Sequence, residues 1–153
     1  MSRLVLIGEA PAGGRGLEGE VLPALEGAVG RRLARMMEVS DAVYERETTR
    51  YNVYETPQDG ERWLVAPARH RALQLMGNFR HGDRVILLGA KVESAFALGI
   101  RNAYEWRAFM RASGDTFLVA RVPHPSGRNR VLNDPAERER MAVFLREALR
   151  DSC

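Results

Sequence analysis

A carboxylate, an imidazole and a carboxamide stand where three apolar or β-branched runs of this chain give way to loops. Glu9 lies in GEAPAGG (Gly8 to Gly14), directly after LVLI. A carboxylate just past a strand end, beside Pro11, can orient water or complement a developing cation. Its plainer roles are a helix cap or a surface charge. His124 lies in VPHPSGRNR (Val122 to Arg130), which follows TFLVA after one residue, Arg121. The flanking prolines restrict the backbone and hold the ring at a strand end. A neutral imidazole fixed there can donate to an oxyanion, because preformed dipoles act strongly where charge develops away from water. A lone histidine is otherwise a structural residue. The hydroxyl of Ser126, the Gly127 amide, Arg128 and Arg130 can hold phosphates, or form a solvated turn. Asn52 lies in TTRYNVY. Its amide donates and accepts at once, the pattern that base edges demand.

Other chemistries fit less well. GEAPAGG lacks the lysine and hydroxyl pair of a nucleotide-binding P-loop and the spacing of a dinucleotide fingerprint. Ser126 follows no nucleophile-elbow pattern, and no aspartate partners His124 at a recognisable position. Glu9 with Glu18 or Glu20 would make a carboxylate pair, but a glycine-rich loop fixes no distance between them. His70, His81 and His124 do not form a spaced ligand set, so no metal is expected. The single cysteine, Cys153, excludes an internal disulfide or a four-cysteine cluster.

The elements that must position these groups alternate in type. Leu4 to Ile7, closed by Gly8, predicts a first buried parallel strand. Val29, Leu33, Met36 and Met37 recur at helical spacing, with Arg31, Arg32 and Arg35 on the remaining surface. Thr48 to Tyr54 predicts a second strand, and Trp63 to Val65 a brief extended piece. Ala68, Ala72, Leu75, Met76 and Phe79 mark another helix. Arg84 to Leu88 is the clearest buried strand; Gly89 ends it and a helix runs through Leu98. Thr116 to Ala120 supplies the last strand. Asp134 can then cap a helix with Pro135 at its first position and Glu137 three residues after the cap. The alternation predicts an α/β fold, a three-layer sandwich around a four-stranded parallel sheet. Both unusual loops leave carboxyl ends of strands, where ligands bind in such sheets.

The chain has 153 residues, 45% of them hydrophobic and 28% charged, which suits a single domain over residues 1–153. No apolar run approaches the roughly 20 residues that cross a bilayer, and no secretory signal is visible, so a cytoplasmic protein without membrane contact is expected. The formal charge is +3, and Lys91 is the only lysine. Arginine, which grips phosphate bidentately, supplies the rest of the positive charge. An arginine-biased genome gives the same composition.

Taken together, GEAPAGG, Asn52 in TTRYNVYET and the terminal VPHPSGRNR resemble the uracil-DNA glycosylase superfamily. The likeness is to its GEAPG-bearing branches and to small phage-type relatives with an HPSG loop. VILLGAKVESAFALG looks like that family's third strand and following helix. The resemblance implies a four-stranded parallel sheet between helices and a site for a pyrimidine flipped out of DNA, in a bacterial or phage-infected cell. It implies that Gly8, Glu9, Ala10 and Pro11 lie beneath the sugar, with Glu9 near the water or the cationic sugar. Asn52 would read the pyrimidine edge, and His124 would hydrogen-bond a carbonyl of the leaving base. Ser126, Gly127, Arg128, Asn129 and Arg130 would grip DNA. The reaction implied is hydrolysis of the N-glycosidic bond of uracil or a modified pyrimidine, without a cofactor, by a monomer. Two departures stand out. Ala12 replaces the motif's second glycine, and no aromatic residue occurs between Gly13 and Gly27. Tyr51 or Tyr54 would then pack on the base, although strand alternation points both away from Asn52, or Leu22 or Leu25 would supply apolar packing instead. A non-catalytic DNA-binding protein, or an enzyme of nucleosides or DNA modification, would use the same scaffold.

Overall fold

The computed structural model describes residues 2–10, 24–54, 63–125 and 130–152. One sheet contains β1 (Leu4–Gly8), β2 (Thr48–Asn52), β3 (Arg84–Leu88), β4 (Arg107–Met110) and β5 (Thr116–Val122). Its order is β2-β1-β3-β5-β4. The first four strands in that order pair in parallel, and β4 runs antiparallel to β5. The expected sheet of four parallel strands is therefore corrected to a mixed sheet of five.

The extra strand comes from a hairpin. Arg111 N–H donates to Asp115 O at 2.8 Å and Gly114 N–H to Arg111 O at 2.8 Å. Gly114, at φ 89°, takes the left-handed turn that favours glycine. Three of the four β4 residues are exposed and the fourth is half-buried, so the strand lacks the apolar signature of its neighbours.

The central strands are apolar on successive residues because both faces are covered. Leu4, Leu6, Ile86 and Leu88 join one buried cluster, with Leu33, Tyr44, Met141 and Leu145. These last four come from α1 (Gly27–Met36), α2 (Asp41–Glu47) and α5 (Pro135–Ser152). Val5, Ile7, Val85 and Leu87 join a second cluster with Ala68, Ala72, Val92 and Phe96 of α3 (Val65–Met76) and α4 (Ala90–Phe96). Each large apolar side chain removed from water contributes about 2 kcal/mol before entropy is counted.

Local signals explain the helix ends. Asp134 Oδ1 accepts from Ala136 N–H at 2.9 Å, with Pro135 opening α5. Ser40 Oγ accepts from Val43 N–H at 3.2 Å and caps α2. Val65, expected to be extended, instead begins α3. Pro67 lies in that first turn, where a missing N–H breaks no helical bond.

At the amino end of the sheet, Arg3 and Asp83 form a two-bonded ion pair. The distances are 3.1 Å from Nε to Oδ1 and 2.7 Å from Nη2 to Oδ2. Arg80 N–H also donates to Asp83 Oδ2 at 2.7 Å. This network joins the entrance of β1 to the turn before β3. The residues singled out by their chemistry stand at the opposite, carboxyl rim. Adjacent strands β1 and β3 send their following helices to opposite faces, and such a parting opens a crevice between strand ends.

Candidate functional site at the carboxyl rim

Four neighbouring strand ends bring the chemically interesting residues onto one rim. In strand order they are Asn52 on β2, Gly8 and Glu9 on and after β1, Gly89 after β3, and His124 after β5. At the usual strand spacing these four ends span about 14 Å. Backbone bonds continue the sheet into the rim: Val53 N–H donates to Gly8 O and Tyr54 N–H to Glu9 O, each at 3.0 Å. Gly89 N–H donates to Val122 O at 2.9 Å.

Gly89 is where the acid and the imidazole meet. A Cβ on this residue would lie 3.5 Å from Glu9 Oε1, 3.0 Å from His124 Cβ and 3.5 Å from His124 Cδ2. Its φ of 96° is left-handed, so glycine meets two demands there: an unusual backbone and the absence of a side chain between two functional groups. Burial pushes the His124 imidazole below its ordinary value of 6.5. The Lys91 charge also pushes it down, and the Glu9 carboxylate pushes it up. The net effect favours a neutral ring at neutral pH, a donor or acceptor rather than a cation.

Asn52 and Gly8 are paired in the sheet register. A Cβ on Gly8 would lie 2.6 Å from Asn52 Oδ1 and 2.6 Å from Leu25 Cδ2, so only glycine leaves room for this contact. Asn52 is 7% exposed, yet among the described residues its Oδ1 accepts no hydrogen bond. A buried acceptor without a donor is costly, and a ligand N–H would satisfy it. Leu25 is held above Gly8 by its own carbonyl. Tyr44 Oη donates to Leu25 O at 2.8 Å, and a Cβ on Gly30 would come within 2.4 Å of the same oxygen.

The rim therefore brings together Gly8, Glu9, Asn52, Leu25 and His124. Ala10 follows Glu9 and is half-buried. Tyr51 is not with them: strand alternation sends it to the opposite face, against the cluster of Val5 and Ile7. Arg130 is exposed and begins a 3-10 turn, Arg130–Asn133. Pro11, Leu22, Ser126, Gly127, Arg128 and Asn129 lie outside the described residues.

One supporting residue escapes sequence reasoning. Arg32 belongs to a set of arginines expected to decorate α1, but its Nη1 donates to Pro125 O at 3.1 Å. It thus tethers the histidine loop to a helix 93 positions away in sequence, a contact with no local signal. Among the described residues, no three His, Cys, Asp or Glu side chains form a group able to hold a metal ion. No described helix is long and apolar enough to cross a membrane. No protein-family model and no curated protein matches the chain.

Proposed function

We propose that this protein is a DNA glycosylase that hydrolyses the bond between deoxyribose and uracil or a modified pyrimidine, leaving an abasic site. The observation that carries this reading is the meeting of Glu9 Oε1 and the His124 ring over Gly89. Breaking a sugar–base bond separates charge into an oxocarbenium-like sugar and an anionic base. A carboxylate beside the sugar favours the first, and a neutral imidazole donor beside a base carbonyl favours the second. The electron pair of the bond leaves with the base. Water adds to C1′, and the proton it releases balances the departing anion.

Asn52 supplies the reading of the base. Its buried Oδ1, without a donor among the described residues, calls for one such as the ring N–H of a uracil-type base. Leu25, packed over Gly8, offers apolar cover where the loop sequence has no aromatic ring. Extruding the base costs a few kcal/mol, which binding to DNA on either side must offset. Arg130, with the neighbouring loop from Ser126 to Asn129, is assigned to the phosphates. Four parallel strands in the order β2-β1-β3-β5, with helices on both faces, suit the three-layer arrangement that the family resemblance implies. The antiparallel β4 is an addition at one edge.

The test is base release from DNA carrying uracil or other altered pyrimidines, with Glu9→Gln and His124→Ala measured beside the parent protein. Each substitution is expected to slow the chemical step by about 10²–10³. No release from any substrate, or undiminished release by both variants, overturns the reading. Salt-sensitive DNA binding without release would instead identify a non-catalytic binding protein.

A further inference from the structure

Lys91 stands in the first turn of α4, two residues after the glycine over which Glu9 and His124 meet. Its ammonium lies 5.8 Å from the centroid of the Trp63 ring. Trp63 in turn meets Tyr54 edge-on, with centroids 5.2 Å apart at 86°. Tyr54 is tied to the rim by its backbone bond to Glu9 O. An aromatic pair therefore carries the chain's only lysine at the same rim as the candidate acid and imidazole.

Two observations separate Lys91 from an ordinary surface lysine. It stands two residues beyond Gly89, which Glu9 Oε1 and the His124 ring both approach, and its charge acts on His124. Glu9 forms no ion pair with it among the described residues. Glu9 from the end of β1 and Lys91 from α4 are among the groups acting on His124, while Arg32 of α1 donates to the next residue's carbonyl. A compact ammonium on a flexible stem can follow a charge that appears during reaction.

We propose, resting on the glycosylase reading, that Lys91 is a third functional group of the rim, whose ammonium faces the negative charge collecting on the departing base. His124 then donates a hydrogen bond as a neutral ring, and Lys91 supplies the formal charge that His124 does not carry. The positive charge is in place before the reaction, so none has to be created at the moment of bond cleavage.

The test uses Lys91→Met, which keeps the stem and removes the charge, and Lys91→Arg, which keeps the charge. In the free protein, NMR titration of His124 is expected to move to higher pH in Lys91→Met and to stay near the parent in Lys91→Arg. Single-turnover release is then compared for uracil and 5-fluorouracil in the same DNA. Fluorine stabilises the departing anion and lessens its need for help. Lys91→Met is expected to slow uracil release about tenfold or more, and 5-fluorouracil release much less. An unchanged His124 titration overturns the proposal. So does equal slowing of both substrates, accompanied by a fall of about one in the salt slope of DNA binding, which would put the ammonium on a phosphate. If the parent protein releases neither base, the glycosylase reading itself falls and takes this role with it; release by the parent with equal slowing in the variant defeats only the role of Lys91.

Discussion

At the scale of single residues, His124 couples the rim to pH. Its folded value lies below 6.5, chiefly through burial. Between that lower value and about 6.5 the unfolded chain binds more protons than the folded one, so stability rises with pH across this window. The contribution is complete above 6.5 and is lost as pH falls through the folded value. Urea unfolding midpoints taken across this range should fall on acidification more for the parent than for His124→Ala. A steeper fall in the variant would contradict the assignment. Individual residues were only partly legible from sequence. Glu9 and His124 were visible because each comes soon after an apolar run and lies within two residues of a proline. Leu25 was one of several possible apolar covers, and the bond that holds it, from Tyr44, joins two segments with no shared pattern. Arg32 looked like surface charge because nothing near it in the chain hints at Pro125.

At the scale of elements, the rim depends on contacts made well below it. Asp83 is 1% exposed and receives Arg3 and the Arg80 amide at the amino end of the sheet. Asp83→Ala is expected to cost about 3 kcal/mol, because it leaves a partly buried guanidinium without its partner. Denaturant unfolding measures the loss, while base release per folded molecule should stay near the parent value, since the pair lies at the opposite end from the rim. Gly30 poses a different constraint. An added methyl would meet Leu25 O at 2.4 Å, a backbone atom that cannot rotate aside. Gly30→Ala should therefore destabilise by about 1–3 kcal/mol and should also displace Leu25 from Gly8. A stable variant with unchanged release would show that the close approach is dispensable.

The strands β1, β3 and β5 were legible because burial on both faces leaves an unbroken apolar run. Edge strand β4 was not, as most of its side chains face water. Its turn at Ser113, Gly114 and Asp115 was the available clue. Helix α2 was missed too, although Ser40 followed by Asp41 carries a helix-start signal.

At the scale of the whole molecule, a modest net charge of +3 leaves the proposed DNA binding to depend on where the arginines stand rather than on their number. If Arg130 grips a phosphate as proposed, binding should weaken as salt rises, and Arg130→Ala should reduce the slope of log affinity against log salt by about one. Fluorescence anisotropy over a salt series measures it. An unchanged slope would remove Arg130 from the DNA contact.

The rim also has a history in time. Its acid comes from the first strand and its imidazole from beyond the last, and the two are brought together only through the β1–β3 and β3–β5 pairings. A nascent chain that has not yet added its final strand holds a carboxylate with nothing to work against. If these groups perform the proposed reaction, it can begin only once the sheet has closed across its middle.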